Sequence, residues 1–250
     1  MKKLIATVSV LVFGVCSLAV ATEPACSHKP SVLPKSRILL KSGIPPNSRV
    51  LSALYENFTW IMSFNERNMF KKYLSDATRY LEFGSGGSTI AALMYFGVPV
   101  ISVDSSKEWF DHMVADFPVI KNNENSVRLS LHHVDIGKIK GWGWPEDSSG
   151  RARYPNYSSS VFSIEDAKNS DLVLVDGRFR VACILSVLLN TKPDTIIMVH
   201  DFWNREHYHS ILKYVDVVDR VDTLGVFRRK KEAKDSDIAT EYEKFKYTAD

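Results

Sequence analysis

From residue 50 to residue 230, short apolar runs alternate with longer stretches of helical spacing. Val50, Leu51, Leu54, Phe58, Ile61 and Met62 recur every three or four positions, the period of one helix face. Ser63-x-x-Glu66 then forms a capping box ahead of Met69, Phe70, Tyr73 and Leu74, so two helices are expected before the first strand. RYLEF (79–83) reads as a strand, Ser88 to Phe96 as a helix closed by Gly97, and VPVISVD (98–104) as a second strand. Ser105-x-x-Glu108 is expected to cap the next helix, which carries Trp109, Phe110, Met113 and Phe117. VRLSLHHVD (127–135), DLVLVD (171–176) and DTIIMVHD (194–201) contain three further apolar runs ending in Asp, with a buried helix from Val181 to Leu189 between the last two. VDVVDRVD (215–222) and LGVFRRK (224–230), almost without a connection, predict an antiparallel closing pair. The pattern therefore predicts an α/β domain over residues 49–231. Strands that end in a carboxylate place it at the carboxyl edge of a parallel sheet, where such proteins bind ligands.

The two ends of the chain differ from this body. Lys2 and Lys3 precede an apolar stretch from Leu4 to Val20, and Ala19-Val20-Ala21 fits a cleavage site before Thr22, so residues 1–21 are read as a signal peptide. Residues 4–21 are also long enough to stay in a bilayer as a signal anchor. Either reading places the protein in the secretory pathway or on a membrane. Lys29, Lys35, Arg37 and Lys41 follow the apolar run, so flanking charge sets no clear orientation. Residues 22–48, with Pro24, Pro30, Pro34, Pro45 and Pro46, read as a tether, and residues 232–250 as a charged, solvated tail.

Composition narrows the function. The chain has 250 residues, 45% of them apolar and 24% charged, which fits one ordinary globular domain and excludes disordered, collagenous and coiled-coil classes. The formal charge of +3 falls to +1 without Lys2 and Lys3, too little basic excess for a nucleic-acid partner. Cys26 and Cys183 lie too far apart in sequence for a disulfide framework or a metal-ligand spacing, and Cys183 is expected in the core.

The strongest local signal is LEFGSGGST (81–89), a strand ending in an acidic residue, a glycine-rich turn and a helix start. Gly84, Gly86 and Gly87 let the backbone turn sharply and bring N–H groups close to a ligand, although such turns also serve packing alone. Asp104 stands 20 residues after Gly84 at the end of the second strand, where a carboxylate can accept both hydroxyl protons of a ribose. Thr89 takes the place of the third glycine of the dinucleotide fingerprint, and Glu82 would repel a pyrophosphate but suit an ammonium group. S-adenosylmethionine carries an amine, a sulfonium and a ribose, and Glu82 with Asp104 answers that pattern. Asp135, ending the third strand, is then placed to accept from the adenine amino group.

Through LEFGSGGST, VISVDSS (100–106), the HHVD strand end (132–135) and the closing LGVFR, the chain resembles class I S-adenosylmethionine-dependent methyltransferases over roughly residues 49–230. More narrowly it resembles a poorly characterised methyltransferase-like group with a motif like VDGRFRVAC (175–183). The resemblance implies a three-layer, Rossmann-like α/β fold with a mostly parallel seven-stranded sheet and an antiparallel last strand. It implies that Glu82, Gly84, Ser85, Gly86, Gly87, Ser88, Asp104, Ser105 and Asp135 bind S-adenosyl-L-methionine. The loop departs from the commoner G-x-G-x-G pattern, reading G-S-G-G-S.

Methyl transfer is an in-line displacement, so the protein must orient an acceptor and take its proton. Asp176, His200 and Asp201, at the ends of the fourth and fifth strands, are the candidate catalytic residues. Arg178 and Arg180 are candidates for an anionic or polar substrate group, the alternative being an Asp–Arg pair that only fixes the turn. The insertion 137–160 reads as a substrate lid in which Trp142, Trp144, Tyr154 and Tyr157 stack on a ring and Arg151 and Arg153 handle charge, or as a surface loop pinned by its aromatics. Tyr208 joins the substrate set. Asp176 with Asp201 resembles part of the cation site of catechol-type O-methyltransferases, but the pair His200-Asp201 is not that family's, so a divalent metal is possible but not favoured and no metal ligand is assigned. His207 and His209 are expected to be exposed.

The function read from the chain is methyl transfer to an oxygen or nitrogen of a small molecule or saccharide. A nicotinamide-dependent oxidoreductase and a non-catalytic nucleoside-binding module are the alternatives. The targeting segment conflicts with a cofactor made in the cytosol, unless a transporter supplies a lumen or an anchor leaves the domain facing the cytosol.

Overall fold

The computed structural model describes residues 60–124 and 126–250; the targeting segment, the tether and the helix read over 50–59 lie outside the described residues. Trp60–Met62, the described end of that expected helix, is not helical. The cause is the cap that follows. Ser63 holds an extended backbone (φ −62°, ψ 163°) and its hydroxyl accepts from the Glu66 N–H, while the Glu66 carboxylate accepts from the Ser63 N–H, which starts helix α1 (Phe64–Leu74). Trp60 instead packs edge-on against Phe70, with ring centroids 5.5 Å apart.

Helix α1 leads into strand β1 (Tyr80–Phe83), then helix α2 (Gly87–Ala91, continuing through Ala92–Phe96) and β2 (Val100–Asp104). Gly97, in the left-handed conformation at φ 64°, closes α2 as expected. Helix α3 (Lys107–Asp116) is capped by Ser106, whose hydroxyl accepts from the Trp109 N–H, and not by Ser105. Helix α4 (Pro118–Asn123), strand β3 (Leu129–His133), the two-residue pair β4 (Ile139–Lys140) and β5 (Trp144–Pro145), α5 (Tyr154–Ser159) and α6 (Glu165–Lys168) follow. The chain continues through β6 (Leu172–Val175), α7 (Arg180–Asn190), β7 (Ile196–Val199), a 3-10 helix (Glu206–Lys213), β8 (Val215–Val221), β9 (Leu224–Arg229) and α8 (Asp235–Phe245).

Seven strands form one sheet in the order β3-β2-β1-β6-β7-β9-β8. The first five are parallel, and β9 runs antiparallel to both β7 and β8. Alternation along the central strands sends Leu81, Phe83, Val173, Val175, Ile197 and Val199 to one face and Tyr80, Leu172, Leu174 and Met198 to the other. Both faces are covered by helices, which is why these strands read as continuous apolar runs. α7, with Val181–Leu188 buried throughout and Cys183 in the core, belongs to the first face; α1 to α4 cover the second. The result is the expected three-layer α/β fold with an antiparallel end.

The segment from Glu232 is not a solvated tail. Helix α8 packs against α7, Ile238 is fully buried, and the Asp250 carboxylate accepts from the Arg180 N–H at 2.7 Å. Its apolar residues Ile238, Tyr242 and Phe245 share one helix face, a stripe masked by the charges between them.

Candidate functional site

The sheet reverses its winding between β1 and β6, so the turns after these strands diverge and open a crevice at the carboxyl edge. Gly84 and Gly177 meet at this point. A Cβ on Gly84 (φ +98°) would lie 2.6 Å from the Gly177 nitrogen, so glycine is required both by conformation and by space.

Beyond β1, the loop is built on Glu82. This carboxylate is fully buried and accepts from the hydroxyls of Tyr80 (2.8 Å), Ser88 (2.5 Å), Ser102 (2.6 Å) and Thr89. Burial pushes its pKa up, against the four hydrogen bonds. Thr89 in turn accepts from the Gly86 N–H at 3.0 Å, so Glu82 fixes the turn through its neighbours. The expectation that Glu82 binds a ligand amine is therefore corrected: its oxygens are spent inside the protein. Ser88 and Gly87 are likewise turned inward, Ser88 onto Glu82 and Gly87 beneath Trp60, where a Cβ would clash. The Ser85 hydroxyl lies 2.6 Å from that of Ser102, which leaves the Ser85 and Gly86 backbone at the edge.

Asp104, at the end of β2, faces this loop. Its carboxylate accepts from the Ser85 N–H (3.1 Å) and the Ser106 N–H (2.9 Å), which fix its orientation and leave lone pairs for another donor. Burial raises its pKa, partly offset by these N–H groups. Ser105 is buried and its hydroxyl reaches the Gly143 carbonyl at 3.5 Å, so it ties the insertion to β2 instead of facing a ligand. Trp109, which sequence reasoning placed only in a helix face, donates its indole N–H to the Ser85 carbonyl at 2.9 Å. Asp135 is exposed, with one oxygen on the Gly137 N–H (2.8 Å) and the other on Arg153 (2.5 Å).

Across the crevice, Asp176 and His200 come together as expected, with His200 Nδ1 2.9 Å from Asp176 Oδ1. The other ring nitrogen of His200 points at Glu66, 3.4 Å from Oε2, and lies 3.8 Å from Asp201. The sequence pattern assigns Glu66 a capping role alone. Its carboxylate also accepts from the N–H (3.0 Å) and hydroxyl (2.6 Å) of Thr223, joining α1 to the β8–β9 turn. Only its buried position beside the strand ends reveals this second role. Burial alone would lower the His200 pKa, but the hydrogen bond and charge of Asp176, with Asp201 and Glu66, raise it. Asp176 is held low in spite of burial by His200 and by the Arg180 charge. Its Oδ1 takes both partners, while the side chain is 30% exposed. Asp176 is thus the group that meets solvent, with His200 behind it. Asp201, with φ 57°, pairs with Arg205 at 2.8 Å and Arg180 at 3.4 Å.

Several expected substrate contacts are structural. Arg180 is buried, donating to the carbonyls of His200 (2.5 Å), Gly177 (3.0 Å) and Asp176 (3.1 Å), so it staples β6 to β7. Tyr154, Tyr157 and Tyr208 are buried in the core and do not form a lid; the Tyr154 and Tyr157 rings pack on Phe179. Arg151 lies over the Tyr247 ring and Arg153 is paired with Asp135. The insertion keeps Trp142, 74% exposed, and Trp144, whose ring stacks under Arg178. His207 is exposed as expected, but His209 is half-buried and reaches the Phe202 carbonyl at 3.1 Å. Among the described residues no group of three or more His, Cys, Asp or Glu is arranged to hold a metal, and no helix is long and apolar enough to cross a membrane.

The strand order, the glycine turn and the acidic end of β2 define the fold of class I S-adenosylmethionine-dependent methyltransferases, and the chain belongs with them in fold. It is similar to the crystal structure of a methyltransferase-like protein from Silicibacter pomeroyi DSS-3, with 26% identity and a TM-score of 0.67 over 75% of this chain and 96% of that one. Looser likenesses are a methyltransferase from Pyrococcus furiosus (16% identity, TM-score 0.43, 72% and 96% covered) and an RNA methyltransferase from Salinibacter ruber in complex with S-adenosyl-L-homocysteine (13%, 0.42, 69% and 98%). No protein-family model matches the chain, and no curated protein matches it in sequence.

Proposed function

We propose that this chain binds S-adenosylmethionine at the ends of β1 and β2 and transfers its methyl group to an oxygen or nitrogen of a small molecule or saccharide. The observation that carries the reading is the Asp104 carboxylate, oriented by the Ser85 N–H of the glycine turn and the Ser106 N–H. That geometry suits a ribose diol, and the turn beside it suits close approach of a nucleoside. S-adenosylmethionine would supply an electrophilic methyl on a sulfonium. Asp104 holds the ribose, and the Ser85–Gly86 backbone, whose N–H groups go to Asp104 and Thr89, offers the nucleoside a surface for close packing. Asp176, kept ionised by His200 and Arg180, orients the acceptor and takes its proton at the exposed carboxylate oxygen. His200 touches neither partner and acts as a positioning residue for Asp176. Asp135 remains the residue we assign beside the adenine.

The test is calorimetry with S-adenosylhomocysteine on the full chain. Wild type binds, and Asp104→Ala weakens binding more than tenfold; no binding by the wild type would end the proposal, and binding of NAD in its place would transfer it to an oxidoreductase. A second reading, a non-catalytic nucleoside-binding module, is favoured by His200, whose two ring nitrogens both face carboxylates of the protein, Asp176 at 2.9 Å and Glu66 at 3.4 Å, and not the crevice. Product formation with candidate acceptors separates the two. We further infer from Lys2–Ala21 that the protein enters the secretory pathway or is membrane-anchored; cell fractionation of full-length protein checks this.

A further inference from the structure

We propose that Arg178 seats an anionic oxygen group of the methyl acceptor, a carboxylate or a phosphate, against the face of Trp144. The inference rests on the methyl-transfer reading and narrows its acceptor. Arg178 follows Asp176 by two residues in the turn after β6 and is only 8% exposed. Its guanidinium lies 4.6 Å from the centroid of the Trp144 ring. Its Nε is buried without a hydrogen-bond partner.

The other cations at these strand ends have carboxylates within reach. Arg180 has Asp176 and Asp201, Arg205 has Asp201, and His200 has Asp176 and Glu66. Arg178 has no carboxylate within 4.0 Å among the described residues; Asp176 feels its charge but gives its Oδ1 to His200 and Arg180. A buried guanidinium without an anion is unfavourable, and stacking on one indole compensates only part of the lost hydration. The imbalance is relieved when an anion arrives with the substrate. Carboxylate and phosphate suit the planar fork of arginine, which binds two oxygens at once. The site is also continuous with the cofactor half. Gly143, next to Trp144, is tied to Ser105 at the end of β2; its missing Cβ leaves room for the Ser105 hydroxyl, and the Arg178 side chain lies within contact distance of the same position. The Asp250 carboxylate at the start of α7 faces the Arg180 N–H, so it does not satisfy Arg178.

The full chain is titrated separately with inorganic phosphate and with benzoate, with and without S-adenosylhomocysteine, while arginine Nε–Hε resonances are followed by NMR. One resonance, absent from Arg178→Gln and Arg178→Lys, is expected to move saturably with at least one anion. Preference for phosphate assigns a phosphorylated acceptor, and preference for benzoate a carboxylated one. Arg178→Gln is expected to weaken the anion at least tenfold, and Arg178→Lys to retain part of the affinity. The proposal is overturned if the Arg178 resonance stays still in wild type, or if a folded Arg178→Gln binds the anion as wild type does. Should Arg178→Gln fail to fold, the wild-type shift and the lysine variant decide. Failure of S-adenosylhomocysteine to bind while the anion still moves Arg178 would remove the methyl-transfer reading and leave an anion site.

Discussion

Two carboxyl groups of the same strand region, Glu82 and Asp104, have opposite uses because of what surrounds them. Glu82 gathers four hydroxyl donors and organises the turn from beneath. Glu82→Ala leaves those hydroxyls without their acceptor and opens a void, an expected loss of about 3 kcal/mol; Glu82→Gln keeps the shape and one acceptor oxygen and costs about 1 kcal/mol. Urea denaturation measures both, and equal losses would show that packing alone matters there. The His200 clasp gives a pH dependence with a definite sign. Its folded-state pKa is raised above 6.5, because Asp176, Asp201 and Glu66 outweigh burial. A raised histidine contributes stability fully below its unfolded pKa, and the contribution disappears as pH rises through the folded value. The stability gap between wild type and His200→Gln should therefore narrow as the pH rises above about 6.5, the ordinary histidine value. A gap that stays constant, or widens, rules out the charged clasp.

Elements built by local rules were legible in the sequence, and those built by distant contacts were not. The capping box at Ser63, the Gly97 stop and the seven apolar runs are short-range patterns, and each appears in the structure. The cap of α3 slipped by one residue because Ser105-x-x-Glu108 satisfies the capping-box pattern, whereas Ser105 is still held by the end of β2 and Ser106 is the first residue free to cap. Glu66 meets His200, which lies 134 positions further along the chain, a pairing that no periodicity encodes. Helix α8 was hidden differently: Ile238, Tyr242 and Phe245 have helical spacing, but charged neighbours dominate the segment. Its packing makes a clear prediction. Ile238→Ala should cost about 2–4 kcal/mol, against within about 0.5 kcal/mol for Thr240→Ala on the exposed side of the same helix. Thermal denaturation distinguishes them, and an Ile238→Ala protein as stable as wild type would return this segment to the status of a solvated tail.

At the scale of the whole molecule, the order of the strands makes one site out of residues far apart in sequence. β2 and β3 lie on one side of β1, and β6 and β7 on the other, so the nucleoside half with Asp104 and the acceptor half with Asp176 open from the same seam. The resemblance visible in the strand ends was enough to anticipate this arrangement, but not which side chains point into it; that depends on the core beneath, as Glu82, Ser88 and Tyr157 show. The seam itself is held closed by two glycines. A methyl group on Gly84 would meet the Gly177 nitrogen at 2.6 Å and the Asp176 carbonyl carbon at 2.8 Å, both rigid backbone, and would also place a side chain at φ +98°. Gly141, in the insertion, has no atom within 4 Å of the same added methyl and serves as a control. Gly84→Ala is expected to lose about 3 kcal/mol or more, since backbone strain alone costs about 1–3 kcal/mol and the clash must spread the β1 and β6 turns apart. Because those turns carry Ser85 on one side and Asp176 on the other, the same change should weaken S-adenosylhomocysteine more than tenfold in calorimetry, while Gly141→Ala alters neither quantity. If Gly84→Ala unfolds and binds as wild type does, the two halves of the site are not mechanically joined at this seam.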